Sequence, residues 1–322
     1  MSPRDDRLPG YLMAYQHLFG PVPSRRLGIS LGIDLVPHKT CTFNCVYCEC
    51  GQTTDLTCER REYVPTDRVL AELDDFLARD PDLDYVTFAG SGEPTLHSGI
   101  GEIIAFIKDL YPRYRVAVLT GSAPLADPEV RTALMRADLV VPSLDAVSEE
   151  VFLEVNRPCS GLTAAGVLAG ITAFAREFPG EVWLEVFIVP GKNDTEEELL
   201  RIRDAVAAIG PDRVQVNTLD RPGTEAWVRP ALPRTVERAV SLLGGNAEAI
   251  GAACTGPVVL PDLREALESI LSTVRRRPCT PGDLAVLLGL RPAEISKCLR
   301  VLEDTGMVET VQEKRGMFYR AV

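Results

Sequence analysis

What the chain lacks narrows its class first. No apolar run is long enough to span a bilayer, and the opening MSPRDDRLPGYLMAYQHLFG has no basic flank leading into an apolar stretch of the kind that directs secretion. A cytoplasmic protein with no membrane partner is therefore expected. Internal repeats and low-complexity segments are absent, and a composition of 46% hydrophobic and 25% charged residues excludes general disorder. Histidine is scarce, three residues in 322. Nothing in the sequence pairs His97 with a base or a metal ligand, so it is read as structural. Net positive charge is missing: the formal charge is -12, with residues 275–322 carrying +3 and everything before them -15. An acidic body with a mildly basic tail directs any nucleic acid to the tail, and acidic residues kept for solubility explain the balance equally well.

A regular cysteine framework is absent as well. Nine cysteines are present, but four crowd into ten positions and the others are scattered, which is no secreted disulfide pattern and suits a reducing compartment. The crowded stretch is Cys41-Thr-Phe-Asn-Cys45-Val-Tyr-Cys48, followed by Glu49 and Cys50. Three thiolates spaced Cys-x3-Cys-x2-Cys can hold three irons of a 4Fe-4S cube and leave the fourth iron open. The alternative is a zinc knuckle completed by Cys50 or His38. Cys50 and Cys58 are otherwise read as free loop cysteines, and Cys159 as a small apolar residue.

Around this loop, strand and helix patterns alternate. A turn-rich segment holding Arg25 and Arg26 leads to a strand over residues 29–35. The arginines are read as solvated, with an anion of a substrate or cofactor as their other role. Helices are expected at 67–77 (capped by Thr66), 100–110, 128–136, 161–178 and 196–209, with strands at 85–90, 115–119, 139–143, 182–189 and 213–218. Such alternation implies βαβ crossovers around a parallel sheet, either open or an incomplete barrel. Polar motifs stand at the strand ends, where parallel barrels carry their sites. They are Gly90-Ser-Gly92-Glu93-Pro94-Thr95, Thr120-Gly-Ser122, Ser143-Leu-Asp145, Gly191-Lys-Asn193-Asp194 and Asn217-Thr-Leu-Asp-Arg221. Asp145 and Asp194 serve equally well as caps of the helices that follow them.

These motifs resemble the radical S-adenosylmethionine superfamily: the cysteine loop with Tyr47 before its last cysteine, a Gly-Gly-Glu-Pro element retained as Gly92, Glu93 and Pro94, and the polar strand ends, over roughly the first 225 residues. The resemblance implies a partial (β/α)6 barrel, with Cys41, Cys45 and Cys48 holding a 4Fe-4S cluster whose open iron is chelated by S-adenosylmethionine. It implies reductive cleavage of that cosubstrate to a 5'-deoxyadenosyl radical that takes hydrogen from a substrate, with electrons from a donor such as flavodoxin or ferredoxin. Glu93 or its adjacent backbone would hold the amino group of S-adenosylmethionine; Ser143, Asn193 and Asn217 would complete its site. No catalytic residue is assigned, and a tRNA base, a small metabolite or a peptide is the expected substrate. Among branches of the superfamily the chain is similar to the wyosine-tRNA-synthetase-like proteins. Its true members carry further cysteines ahead of the radical motif, and this chain has none before Cys41, so their reaction does not transfer.

The pattern breaks after residue 244. The expected layout is a barrel at 1–245, a linker at 246–261 and a winged helix at 262–322. The last unit reads as a helix capped by Asp262, a second from Thr280, a third from Pro292, and two strands joined through Lys314 and Arg315. Ser296, Lys297 and Arg300 would face outward with that wing tip, as in nucleic-acid-binding winged helices. A protein contact or a lid on the barrel is the other use. A cluster-based sensor that binds nucleic acid through this unit is the alternative to an enzyme.

Overall fold

The computed structural model describes residues 15–250, 263–290, 292–313 and 315–322. Strands β1 (Leu18–Ser24) and β2 (Gly28–Ile33) form an antiparallel hairpin, and the short strands β3 (Thr40–Cys41) and β4 (Asp55–Leu56) bracket the cysteine loop. Then follow α1 (Thr66–Leu77), β5 (Tyr85–Phe88), α2 (Ile100–Leu110), β6 (Arg115–Thr120), α3 (Pro128–Leu134), β7 (Leu139–Pro142), α4 (Glu149–Val155), α5 (Ala164–Glu177), β8 (Glu181–Ile188), α6 (Glu196–Ile209), β9 (Arg213–Thr218), α7 (Pro233–Leu243) and β10 (Ala247–Ala249). One eight-stranded sheet runs β1-β2-β5-β6-β7-β8-β9-β10, parallel at every pairing from β2 onward. It is an α/β fold whose two edges, β1 and β10, stay unjoined.

Strand β8 shows why these residues make a barrel wall. Val182, Leu184, Val186 and Ile188 enter the core shared with the helices, while Trp183 joins an inner cluster with Leu27, Tyr85, Ala117, Leu139 and Val141. A strand buried on both faces needs apolar residues at nearly every position, and here alternate ones serve different cores. The inner series on β8 also holds two glutamates: Glu181 at its start and, between Trp183 and Phe187, Glu185, which meets Arg26 and Asn217 in the site described below.

Several expectations change. The turn-rich segment with Arg25 and Arg26 includes a strand, because Pro21 and Pro23 of β1 are tolerated at a sheet edge. Thr66 does not cap α1: Pro65 is the cap position without a side-chain bond, and the Thr66 amide is taken by the Glu62 carboxylate at 2.8 Å. The helix expected after Asp145 is α4, with Ser148 rather than Asp145 at its cap position, and α7 has no counterpart among the expected elements. Ala247–Ala249 pairs with β9, so the parallel sheet extends into the stretch expected as linker; Asp262, Lys314 and the rest of that stretch from 251 on lie outside the described residues.

The C-terminal region is made of α8 (Leu263–Arg276), α9 (Pro281–Leu288), α10 (Pro292–Asp304) and the hairpin β11 (Val308–Glu313) with β12 (Gly316–Ala321). It has its own core, including Ile270, Val274, Leu284, Leu288, Ile295 and Leu299, with Val22 of β1 packed against it. Thr280 and Asp283 form a capping box that starts α9. No helix among the described residues is long and apolar enough to cross a membrane.

Candidate functional site

The cysteine loop lies between two supports. On one side the Asn44 amide donates to the Asn156 carbonyl at 3.0 Å and the Val46 amide to the Val155 carbonyl at 3.0 Å. On the other, the Lys39 amide donates to the Ser91 carbonyl at 2.9 Å and the Glu93 amide to the Thr40 carbonyl at 3.0 Å. The Gly-Ser-Gly-Glu-Pro turn is thus stitched to the chain entering the loop. Gly92 is required there, since a Cβ would stand 2.1 Å from the Thr40 carbonyl oxygen.

Cys41, Cys45 and Cys48 are half-buried and not disulfide-bonded. Their surroundings differ. Burial, reinforced by the charge of Glu93, pushes the Cys41 thiol up to about 12, and burial with the nearby Asp145 likewise raises Cys45 well above the ordinary thiol range. Cys48 is instead drawn down to about 5 by a hydrogen bond from Cys50 together with the charge and hydrogen bond of Lys39. The Lys39 Nζ stands 3.0 Å from Cys48 Sγ, and Asn156 Nδ2 stands 3.6 Å from Cys45 Sγ. Among the described residues no three His, Cys, Asp or Glu side chains gather where they could hold a single ion. This disfavours the zinc knuckle, while thiolates that each take a different iron of a cube need not converge. With N–H donors aimed at two of the sulfurs, the loop fits a 4Fe-4S cluster held by Cys41, Cys45 and Cys48.

Glu93 is buried and already engaged. Its Oε1 accepts from the Thr95 amide and the Thr95 and Thr120 hydroxyls at 3.0, 2.5 and 2.8 Å, and Oε2 accepts from the Gly121 amide at 2.7 Å. Burial raises its carboxyl above the usual range, opposed by these bonds. The side chain therefore ties the ends of β5 and β6 together beside Cys41. Asn193 is equally committed: Nδ2 donates to the Asp145 and Phe187 carbonyls at 2.8 and 2.7 Å, and Oδ1 accepts the Val189 amide at 2.7 Å. Asn217 donates to Glu185 at 2.8 Å. The half-buried Ser143 gives its carbonyl to the Ser122 hydroxyl at 2.8 Å.

The two carboxylates offered as helix caps do other things. Asp145 accepts from the Tyr47 hydroxyl at 2.5 Å, Asn156 Nδ2 at 2.7 Å and the Phe187 amide at 3.0 Å, while the Tyr47 ring stacks on Phe187 with centroids 3.8 Å apart. Asp194 accepts the Gly191 amide at 2.7 Å, and Thr195 caps α6. His97 is fully buried between the Val64 carbonyl and the Gly99 amide, a structural role as expected.

Arginines converge at the mouth. Arg26 pairs with Glu185 across the sheet at 2.7 Å, both side chains mostly buried, so it is not a solvated surface arginine. Glu49, next to Cys48, accepts the Asp220 and Arg221 amides at 3.1 and 3.0 Å, with the Arg221 guanidinium at 3.4 Å. Arg25 is half-buried with no ion-pair partner among the described residues, and burial lowers its pKa. Sequence reading missed Lys39 and Glu185; a lysine two positions before the first cysteine was the available signal for one, a glutamate within an apolar strand for the other.

A three-thiol loop at the edge of an incomplete parallel barrel defines an iron-sulfur enzyme class, and residues 35–203, just over half of the chain, match the family model for the Radical SAM superfamily. The chain belongs to that superfamily; it is an enzyme whose cofactors are S-adenosylmethionine and a 4Fe-4S cluster. It is 37% identical over 206 residues to a UPF0026 protein of Synechocystis, covering 64% of this chain and 76% of that protein. It is 34% identical over 214 residues to a UPF0026 protein of Methanocaldococcus jannaschii, covering 66% of each. A Brachyspira hyodysenteriae protein named GTPase Obg is 34% identical over 302 residues, covering 91% of this chain and 43% of that protein. The chain thus spans less than half the length of that relative. Among solved structures, a radical SAM methyltransferase from Sphaerobacter thermophilus superposes with a TM-score of 0.53 at 16% identity, covering 68% of this chain and 65% of that one. Streptococcus suis SuiB bound to S-adenosylmethionine gives 0.51 at 15% identity, covering 69% and 50%.

Proposed function

We propose that the protein reductively cleaves S-adenosylmethionine at a cluster held by Cys41, Cys45 and Cys48 and passes the radical to a substrate in the barrel. The carrying observation is the cysteine loop itself, clamped at the strand ends with donors from Lys39 and Asn156 on its sulfurs. When bound, the cluster supplies the electron and an open iron for the amino and carboxylate groups of S-adenosylmethionine. The chain's part is to hold and orient. Glu93 fixes the Gly92 to Pro94 turn, whose backbone meets the amino group; the Ser143 hydroxyl, the Asn193 loop and Asn217 shape the rest of the cosubstrate site. A low-potential donor of the flavodoxin or ferredoxin class reduces the cluster. A tRNA base is the first expectation for the substrate, with a small metabolite or peptide next. The reaction proceeds in the cytoplasm.

The C-terminal unit is proposed to be a winged helix that covers the barrel. One observation favours this use over nucleic-acid binding: Arg315 at the wing tip is held by Asp220, at 2.5 Å, and by Asp283. Ser296, Lys297 and Arg300 do stand exposed on α10.

The test is anaerobic reconstitution with iron and sulfide, followed by dithionite and S-adenosylmethionine. Chromatography should show 5'-deoxyadenosine from the wild type and none from a Cys41→Ala/Cys45→Ala/Cys48→Ala chain. A wild-type protein that cleaves nothing but shifts DNA only when its cluster is loaded would establish the sensor instead.

A further inference from the structure

Lys39 is 2% exposed, and its backbone is fixed from three directions in the left-handed region at φ 60°. Its amide donates to the Ser91 carbonyl at 2.9 Å, and its carbonyl accepts the Thr54 and Asp55 amides at 3.1 Å each. A β-carbon is uncommon in that conformation, so the surroundings, rather than local preference, keep a lysine here. Its ammonium has no carboxylate within ion-pair distance among the described residues; it donates to Cys48 Sγ at 3.0 Å. A buried ammonium without a counter-charge sheds its proton. Here the Cys48 sulfur, 3.0 Å from the ammonium, is the group that supplies the counter-charge once it is a ligand thiolate. Among the described residues, Cys48 of the cysteine loop is thus the acceptor that meets the Lys39 ammonium.

We propose that Lys39 is a positioning residue for cluster redox chemistry: its ammonium, hydrogen-bonded to the Cys48 thiolate, favours the reduced cluster. This rests on the reading of Cys41, Cys45 and Cys48 as cluster ligands. Reduction adds one electron from an external one-electron donor and moves no proton, so the site gains one unit of negative charge. A fixed positive charge in contact with a ligand sulfur, away from water, stabilises that product more than the oxidised form. Asn156, donating to Cys45 at 3.6 Å, acts in the same direction as a neutral and weaker partner.

Lys39→Met and Lys39→Arg are compared with the wild type after anaerobic reconstitution, without S-adenosylmethionine, by redox titration followed by electron paramagnetic resonance. The midpoint of Lys39→Met should fall by at least 59 mV, a tenfold shift of a one-electron equilibrium, while Lys39→Arg should stay within half of that. A lysine that merely fills space would leave Lys39→Met at the wild-type potential, and that result overturns the proposal. So does Lys39→Arg falling as far as Lys39→Met. If Lys39→Met folds by circular dichroism but binds no iron, Lys39→Arg decides: normal loading and potential support the charge, and failure to load overturns it. A wild-type protein that assembles no 4Fe-4S cluster would sink the functional reading itself, an outcome separable from the others by iron and sulfide content.

Discussion

Asp145 is 3% exposed and accepts three hydrogen bonds, from Tyr47, Asn156 and Phe187. Burial nonetheless pushes its carboxyl up to about 6 from 3.8. The native chain then binds more protons than the unfolded chain between those values, so the group's stabilising contribution is whole below the unfolded pKa and lost as pH rises through 6. Two units correspond to about 3 kcal/mol at most. Asp145→Asn does not titrate. In urea melts of cluster-free protein, the stability of Asp145→Asn relative to wild type should improve between pH 4 and pH 7 by up to about 3 kcal/mol and stay level above pH 7. A constant offset across that range would show that Asp145 is ionised throughout. The sequence named Asp145 but not its work, because Tyr47 and Asn156 are 98 and 11 residues away along the chain. The cysteine spacing, by contrast, was legible since all its members lie within one loop. Gly92 is testable on the same scale. A Cβ there would collide with the Thr40 carbonyl and stand 2.6 Å from Val36 Cγ2, and backbone cannot swing aside as a side-chain end can. Gly92→Ala should cost about 3 kcal/mol in urea melts and lower iron bound on reconstitution.

At the scale of elements, what the sequence revealed followed from periodicity. The expected helix at 196–209 and strand at 213–218 have the bounds of α6 and β9: α6 buries residues at helical spacing, and β9 is a short run buried at four successive positions. Helix α7 was missed although its sequence marks a face: Val236, Ala239, Val240 and Leu243 recur at helical spacing after Pro233. Strand β10 is three residues long and β1 carries two prolines, so neither shows a strand pattern. What no periodicity shows is how elements are joined. Glu198, in the first turn of α6 and 3% exposed, accepts the Val147 and Ser148 amides at 2.6 and 2.9 Å, which fixes the chain leaving β7. Glu198→Ala strands two donors and should destabilise by about 2–3 kcal/mol. Glu198→Gln keeps an acceptor oxygen and should lose less. Equal losses in urea melts would place the effect in helix packing.

At the scale of the molecule, the C-terminal unit joins both sides of the incomplete barrel. On one side Arg276 lies 3.6 Å from the Asp34 carboxylate and over the Phe19 ring at 4.1 Å; on the other Arg315 holds Asp220, beyond the end of β9. Asp34 in turn accepts the Ser91 hydroxyl at 2.9 Å, so the docking contact reaches the Gly-Ser-Gly-Glu-Pro turn. The Asp34 and Arg276 side chains are 12% and 16% exposed, and breaking a pair so buried leaves a charge without a partner. Arg276→Met should cost about 3 kcal/mol. Because Asp34→Asn removes the stranded charge, the double variant Asp34→Asn/Arg276→Met should recover much of that loss. Hydrogen exchange should quicken in β1 and α8 of Arg276→Met and return toward wild type in the double variant. Strictly additive losses, with exchange unchanged at β1, would mean that the two side chains do not hold the units together.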